Sequence, residues 1–252
     1  MEKRLFILLL FINFFASSEA QERFTVVIDP GHGGFDPGTS NKNIEEKDLV
    51  LNYVFEIGKI INQSDPSIQV IYTRTKDNFI PLHERAAIAN KNHARLFVSI
   101  HANSYPKAYV RGLETFIVGM HDSDDNFNIA KKENAVILNE DNYKAYYEDF
   151  DPNSSESYII FDMVQEEHLM ESADFSILVQ NNITKYTSRK NRGIKQAGFL
   201  VLKEVNMPGV LIELGYLTNI EELNYLLSNK GKENIAQAIA QAIIEYKNKY
   251  TK

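Results

Sequence analysis

The 252-residue sequence predicts one α/β domain: a mostly parallel or mixed twisted sheet, flanked by helices on both faces and carrying a helical insertion. Two observations lead to this fold class. Short β-branched runs that end in loops alternate with longer segments whose apolar residues recur at helical spacing. About 230 residues also remain after an N-terminal leader, which is enough for a single large domain with a full core.

Six apolar runs are predicted to be strands. The first, Phe24 to Ile28, stops at Asp29-Pro30-Gly31, as a buried strand that feeds a loop should. The others are Ile68 to Thr73, Arg95 to Ile100, Leu113 to Val118, Phe199 to Leu202 and Val210 to Leu214.

Helical spacing marks three segments between and after these runs. One begins at Glu46, one extends from Pro81 to Asn92 with the proline near its start, and the last contains Ile235 to Tyr246. Such alternation of strands and helices is typical of a sheet covered on both faces.

The first twenty residues have the pattern of a cleaved secretory signal. Lys3 and Arg4 precede an apolar run, and Ser18-Glu19-Ala20 fits a small-residue cleavage site. The run is short for a bilayer span of about twenty residues, which favours cleavage over a retained anchor. We therefore expect residues 21–252 to be exported, to the periplasm or otherwise to the cell wall, with no stable membrane span.

The net charge of −7 is unevenly distributed. Residues 120–182 contain fifteen Asp or Glu and three Lys, a balance of −12 that leaves +5 for the rest of the chain. A basic run follows, at Lys185, Arg189, Lys190, Arg192 and Lys195. It is too short, in an acidic chain, to predict nucleic-acid binding, so we expect a solvated face or a partner for the acidic segment.

Two histidines and a glutamate, each in its own motif, point to a metal site. They are His32 in VVIDPGHGG, Glu46 in IEEKDL and His101 in FVSIHAN. The chain has no cysteine, so a bound metal must use nitrogen and oxygen donors, and imidazole with carboxylate suits zinc. Ligands of open α/β sheets gather beyond the carboxyl ends of strands, where Glu213 is also expected.

Each of these residues also has a structural alternative. A histidine at a strand end, such as His101, is more often a satisfied structural residue, and Glu46 in a first helical turn is usually a favourable helix-dipole charge. Glu213 could be salt-bridged in the core, and Glu45 competes with Glu46. The remaining histidines have no comparable motif and are assigned to the surface: His83, His93, His121 and His168.

Four motifs in this order, VVIDPGHGGFDPGTS, EEKDL, VSIHAN and MPGVLIELGYLTN, resemble those of the zinc-dependent N-acetylmuramoyl-L-alanine amidases, the type-3 cell-wall amidases. The resemblance extends over essentially all of the mature chain. It implies one zinc bound by His32, Glu46 and His101, with Glu213 as the catalytic glutamate. Glu46 is preferred to Glu45 because the family's Glu-Lys-Asp pattern falls on residues 46–48.

The activity implied is cleavage of the amide between N-acetylmuramic acid and L-alanine in peptidoglycan, for wall remodelling or daughter-cell separation. A zinc peptidase or carboxypeptidase acting on the stem peptides is the alternative. A non-catalytic wall-binding module would be expected to lack the base at Glu213. Secondary candidates at the site are Arg74, Arg85 and Asn103: Arg85 as a structural residue, Arg74 without an assigned role, and Asn103 as a residue that orients the metal site or contacts substrate.

The acidic segment at about 120–182 is longer than the minimal family pattern requires. Helical stretches are expected at Ile129 to Leu138 and Ile160 to Leu178. In family members that act in cell division, an insertion here holds a helix across the active site until an activator protein removes it. Glu133 is the candidate for an inhibitory zinc ligand. A lid or substrate-binding flap with Glu133 in solvent is the alternative.

Overall fold

The computed structural model describes residues 23–162 and 168–251. The predicted signal at residues 1–20 lies outside this range. The described chain forms a six-stranded sheet in the order β4-β1-β5-β8-β6-β7. Its strands are β1 Phe24–Pro30, β4 Ile68–Tyr72, β5 Leu96–Asn103, β6 Leu113–Val118, β7 Asn191–Ala197 and β8 Gly209–Tyr216, and a small hairpin pairs β2 Ser40–Asn41 with β3 Ile44–Glu45.

Eight α-helices occur in the described residues. They are α1 Glu46–Ser64, α2 Leu82–Lys91, α3 Asp124–Asn134, α4 Tyr143–Tyr146, α5 Leu169–Tyr186, α6 Leu200–Lys203, α7 Ile220–Leu227 and α8 Asn229–Tyr250. Two 3₁₀ helices, Ala135–Asn139 and Ser155–Asp162, lie between α3 and α5. None of the helices in the described part of the chain is both long and apolar enough to cross a membrane.

Two apolar cores cover the two faces of the sheet. Residues of α1, α5 and α8 form the core on one face, and residues of α2, α3, α6 and the 3₁₀ helices form the core on the other. β1, β4, β5 and β8 are mutually parallel, whereas β6 pairs antiparallel with β8. The predicted fold class, a mostly parallel mixed sheet with helices on both faces, is confirmed.

One strand prediction was wrong, and one strand was missed. The predicted strand Phe199–Leu202 is the short helix α6, because an apolar run of this length carries too little periodicity to separate helix from strand. The basic run contains β7, a strand that was missed. β7 is a half-exposed edge strand, and charged side chains are common on such edges, so it lacks the apolar alternation of a typical strand.

The acidic segment is not uniform. α3 starts at Asp124, earlier than predicted, because the Ser123 side chain accepts a hydrogen bond from the Asn126 backbone N–H and caps the helix. α5 packs against α8 and the sheet, so the C-terminal part of the segment belongs to the core of the domain.

Candidate active site

Three strand ends meet at one edge of the sheet, and the candidate residues lie there. β1, β5 and β8 are adjacent and parallel, so their carboxyl ends share this edge. His101 in β5 is paired directly with Glu213 in β8. His32 follows β1 by two residues, and Glu46 is the first residue of α1. The fold thus brings together four residues that are far apart in the sequence.

The side chains of His32, Glu46 and His101 converge on one point. His32 Nε2 lies 3.2 Å from His101 Nδ1, and each of these atoms is 3.1 Å from Glu46 Oε1. The Glu46 side chain is 1% exposed, whereas the Glu45 side chain is 43% exposed and forms an ion pair with Lys47. Glu46 and not its neighbour therefore belongs to the cluster.

Glu133 of α3 supplies a fourth donor. Its Oε2 lies 3.1 Å from His32 Nε2 and 3.3 Å from His101 Nδ1. The four side chains are buried, and one ligand atom from each lies within 4.8 Å of the others. Glu133 is thus part of the cluster and not a solvated residue of a flap.

This donor set fits zinc. Four ligand atoms at about 2.1 Å from a central ion in a tetrahedron lie roughly 3.4 Å from one another. The separations of 3.1 to 3.3 Å between donors in the cluster are close to that value. Two imidazole nitrogens and carboxylate oxygens are ordinary zinc ligands, and the site contains no softer donor.

The electrostatics of the cluster favour a cation at its centre. Burial alone would lower the pKa of His101, but hydrogen bonds to Glu133 and Glu46 outweigh burial and raise the pKa to about 9. Burial opposes ionisation of Glu46, yet the His32 charge and hydrogen bonds from both histidines hold the Glu46 pKa well below its usual value. A bound metal ion would replace the imidazolium protons as the positive charge that these carboxylates stabilise.

His32 is oriented by a carboxylate that the sequence reasoning missed. Its Nδ1 lies 2.8 Å from Asp36 Oδ2, so His32 Nε2 is free to face the cluster. Carboxylate partners of this kind commonly set the tautomer and ring orientation of metal-binding histidines. Asp36 also accepts a hydrogen bond from the Gly38 backbone N–H. A carboxylate four residues after the histidine, in the same glycine-rich loop, was the available signal.

Two glycines allow the side chains of the cluster to pack closely. A Cβ at Gly31 would lie 2.3 Å from Cε1 of His101. Gly38 has a φ of +66°, and a Cβ there would lie 2.5 Å from His32 Cδ2 and 2.7 Å from Glu46 Oε2. Larger residues at either position would displace the ligands.

Arg74 and Arg85 hold the backbone of the His32 loop, in which His32 has a φ of 59°. Arg74 donates to the carbonyls of Pro30 at 3.1 Å and Gly31 at 2.7 Å. Arg85 donates to the carbonyls of Pro30 at 2.9 Å and His32 at 2.8 Å. Because a left-handed conformation is unfavourable for a non-glycine residue, these bonds stabilise the loop in its ligand-presenting form.

Asp29, near the end of β1, fixes the same region through its side chain. This buried residue accepts hydrogen bonds from Arg85 Nη1 at 2.8 Å, Thr73 Oγ1 at 2.5 Å and Ser99 Oγ at 2.7 Å. Burial would raise the Asp29 pKa, but the Arg85 charge and the hydroxyl bonds keep it below the usual value. The end of β1 is therefore held by hydrogen bonds to the Asp29 side chain as well as by hydrogen bonds to its backbone carbonyls.

Glu213 lies beside the cluster without direct partners. It is 1% exposed, and in the described part of the chain neither of its carboxylate oxygens has a hydrogen-bond partner. Burial and the nearby Glu46 and Glu133 charges raise the Glu213 pKa well above its usual value, against the opposing effects of His101 and Lys132. A buried, unpaired carboxylate is costly and often marks a functional site.

Asn103 belongs to a second polar network at the same edge. It donates from Nδ2 to Oε1 of the buried Glu114 at 3.0 Å, and Glu114 also accepts from Tyr216, Arg192 and Lys195. Glu114 was missed in the sequence analysis, although β6 places it opposite Glu213. These bonds hold Asn103 in the polar network next to Glu213.

The basic run has different partners from those expected. Arg192 and Lys195 pair with Glu114, and Arg189 pairs with Glu222 at 2.6 Å. Neither acid belongs to the acidic segment, so the expectation of a solvated face or an acidic-segment partner was wrong for these cations. The sheet order, which places β7 next to β6, explains the Glu114 pairs.

The other histidines lie apart from the cluster. His93 is exposed as predicted, but His83, His121 and His168 are half-buried, so the surface prediction was wrong for them. His83 stacks on Tyr146 with ring centroids 4.0 Å apart, because residues between α3 and α5 cover it.

Comparison with known proteins identifies the family. The family model for N-acetylmuramoyl-L-alanine amidases matches residues 26–245. Amidase AmiA of Escherichia coli K12 is 31% identical over 224 residues, which cover 88% of this chain and 75% of AmiA.

Solved structures agree with this match. The crystal structure of an N-acetylmuramoyl-L-alanine amidase from Clostridium difficile 630 has a TM-score of 0.67 at 30% identity, with 90% of this chain and 98% of that chain covered. The CwlD amidase from Clostridioides difficile, solved in complex with the GerS lipoprotein, has a TM-score of 0.64 at 25% identity, with 89% and 98% covered. The chain belongs to the N-acetylmuramoyl-L-alanine amidase family.

Proposed function

We propose that the protein is a zinc-dependent amidase that hydrolyses the bond between N-acetylmuramic acid and L-alanine in peptidoglycan. The observation that carries this proposal is the convergence of His32, Glu46 and His101 next to the unpaired carboxylate of Glu213. Family membership supplies the substrate class, and the side chains supply the chemistry.

His32 Nε2, Glu46 and His101 Nδ1 would hold the zinc ion, with Asp36 fixing the His32 ring. Zinc, when bound, supplies a Lewis acid that lowers the pKa of water and polarises a carbonyl group. Three protein ligands are the usual number for a catalytic site.

Glu213 would act as the general base and then as the general acid. It accepts a proton from the water that attacks the lactyl carbonyl and gives a proton to the leaving L-alanine nitrogen. The raised Glu213 pKa suits this double role, because a group with a pKa nearer the working pH can both take and return a proton. The burial of the site also limits competing contacts with bulk water.

The direct test is digestion of purified peptidoglycan by the mature chain, with and without a chelator, followed by mass analysis. An amidase releases intact stem peptides with a free L-alanine amine. A peptidase or carboxypeptidase would release shortened peptides instead. Cleavage that resists the chelator and is not restored by added zinc would contradict the zinc mechanism.

We also propose that the chain is exported to the periplasm or cell wall and acts in wall remodelling or daughter-cell separation. The leader pattern of the first twenty residues supports export, and the family's substrate lies outside the cytoplasmic membrane. Fractionation of cells expressing the full chain, with N-terminal sequencing of the product, tests both the location and cleavage after Ala20.

Glu133 is proposed to inhibit the enzyme in this conformation. Its carboxylate lies as close to His32 and His101 as the Glu46 carboxylate does, in the position that water and substrate need. Burial would raise the Glu133 pKa, but the Lys132 and His32 charges hold it far below the usual value, so the inhibitory group is an anion. A partner protein that moves α3 would then activate the enzyme, and the likeness to an amidase solved with a lipoprotein is compatible with such a partner.

Replacement of Glu133 tests this inhibition. Glu133→Ala should raise basal hydrolysis of peptidoglycan by the isolated chain, because the fourth position is vacated. Asp124→Ala is the matched control, since it removes an exposed acid from the first turn of the same helix. Equal basal activity in the wild type, the variant and the control would refute the inhibitory role.

A further inference from the structure

A cavity of about 290 Å³ opens on one side of α3. It is lined by His32, Phe35 and Asp36 from the loop after β1, and by Glu133 and Val136 from the segment that covers the site. Because His32 and Glu133 also belong to the candidate metal centre, this cavity borders that centre. Its volume lies just below the range of about 300–1,000 Å³ for ligand pockets, which suits a single ring.

Phe35 is presented to this cavity by a rigid tight turn. Gly33 N–H donates to the Asp36 carbonyl at 2.9 Å, and Asp36 N–H donates back to the Gly33 carbonyl at 3.2 Å. The turn is tied down by Asp77, which accepts from the Gly34 N–H at 2.7 Å. Phe35 therefore lies at the tip of a fixed turn, next to the residue that orients His32.

A large aromatic side chain is unexpected at such a tip. Turn positions ordinarily carry small or polar residues, yet Phe35 is 59% exposed. Its ring lies 4.3 Å from the Phe79 ring, centroid to centroid, at an interplanar angle of 33°. Phe35 therefore adds exposed apolar surface to the cavity, with the half-buried Phe79 behind it, and exposed apolar surface beside a site is typical of a binding region.

We propose that Phe35, supported by Phe79, is a stacking platform for a pyranose ring of the glycan strand. The C–H face of a pyranose is apolar and packs on aromatic rings, while its hydroxyl and acetamido groups need polar partners at the rim. Asn139 lines the same cavity and can supply such a partner.

The platform rests on the proposed function, because the substrate's glycan lies on one side of the scissile bond. A second cavity of about 370 Å³ is lined by Asn103, Tyr105 and Lys107, and by Asn128 of α3. Lys132 borders both cavities. A substrate that crosses the candidate metal centre thus has one cavity for its sugar and one for its stem peptide, and we assign the sugar to the cavity lined by the exposed ring of Phe35.

The test is a titration of the mature chain with peptide-free N-acetylglucosaminyl-N-acetylmuramic acid, followed by calorimetry or NMR, and a parallel titration with free stem peptide. Phe35→Ala should weaken disaccharide binding about five- to tenfold, the effect of losing one aromatic contact of roughly 1 kcal/mol. Phe35→Trp should retain binding. Phe55→Ala is the matched control, because Phe55 is also a partly exposed phenylalanine in an aromatic pair, on α1 with Tyr72.

Three results would overturn the platform. They are no disaccharide binding by the wild type, equal affinity of Phe35→Ala and the wild type, or loss of stem-peptide binding in place of disaccharide binding. Thermal unfolding of Phe35→Ala shows whether the turn is intact. The titrations use a ligand with no scissile amide, so they remain informative if digestion of peptidoglycan fails. Failure of the stacking platform therefore does not imply failure of the proposed amidase function, and the reverse also holds.

Discussion

His32 and Glu133 both direct a ligand atom at the same centre, but the chain holds them in different ways. His32 lies on a strand-end loop fixed by two buried arginines and by Asp36. Glu133 lies on α3, one residue before its end, and α3 continues directly into a 3₁₀ helix. The backbone around His32 is therefore held by several buried hydrogen bonds, whereas α3 is held by the apolar contacts of Ile129 and Ala130 and by hydrogen bonds of Lys132 and Asn134.

Near the site, Lys132 and Asn134 of α3 form hydrogen bonds with the rest of the domain. Lys132 Nζ donates to Thr39 Oγ1 at 2.5 Å, and the buried amide of Asn134 bonds to the Gly198 carbonyl at 2.7 Å and to the Leu200 N–H at 3.0 Å. Segments held in this way open at lower free energy than strands of the core. On the inhibition proposed above, we expect α3 to leave the centre while His32, Glu46 and His101 stay in place.

The largest effect on activity is expected when Glu213, the proposed general base in β8, is replaced. Glu213→Gln, made in the Glu133→Ala background so that the site is open, should lower peptidoglycan hydrolysis by about a thousandfold, within the range of 10²–10⁴ for general acid–base catalysis. Zinc content, measured by atomic absorption, should not change. Retained activity would mean that another residue is the base.

The same substitution should stabilise the metal-free protein in a pH-dependent way. Because burial raises the Glu213 pKa in the folded state, the unfolded chain releases this proton first as the pH rises, and the free energy of unfolding falls. The melting temperatures of variant and wild type should coincide below the unfolded pKa of about 4.3, and the variant should become the more stable one above it. Equal melting temperatures at neutral pH would contradict the raised pKa.

Measurements of zinc affinity distinguish the role of His101, in the sheet, from that of Glu133, on α3. His101→Ala should weaken zinc binding by more than about a hundredfold, beyond the usual cost of losing an outer partner. Glu133→Ala should retain zinc, because three ligands on the sheet side remain. Competition with a fluorescent chelator measures both. If Glu133→Ala loses zinc as severely as His101→Ala, α3 is a permanent part of the metal site and not a removable cover.

Asp36→Asn tests how far the orientation of His32 matters. Loss of the carboxylate charge should reduce zinc affinity about 10- to 100-fold, as for other outer partners of metal-binding histidines. Asp77→Asn is the control, because Asp77 binds the same loop through Gly34 and Lys47 but not His32. Equal losses in both variants would assign the effect to the loop in general.

The smallest effect is expected for replacement of Asn134, whose hydrogen bonds hold the end of α3. Asn134→Ala removes a buried amide and leaves the Leu200 N–H without its partner, at a cost of about 1–3 kcal/mol. Hydrogen exchange should accelerate in α3 and remain slow in β1 and β5. Asn128→Ala, an exposed change on the same helix, should leave both rates unchanged. Uniform acceleration through the sheet would show that α3 and the sheet open as one unit.

Much of the site could be predicted from local patterns. Each of His32, Glu46, His101 and Glu213 lies in a short motif in the C-terminal half of a strand, just after a strand or at the start of a helix, where an α/β sheet places functional groups. Asp36 and Glu114 were missed, because a carboxylate in a loop or at the start of a strand is unremarkable until its partner is known. The partner of Asp36 is four residues away, whereas Glu114 meets Lys195 across two strands.

Apolar periodicity and the ordered motifs were sufficient to predict the α/β class, the main strands and the segments that carry the candidate ligands. These features depend on short-range preferences and on chemistry carried by single residues. The folded chain was needed to decide that Glu46 and not Glu45 is buried, that 199–202 is helical, that β7 pairs with β6, and that Glu133 reaches the metal cluster. These outcomes depend on which distant segments pack together, because burial and hydrogen bonding between them outweigh local propensity.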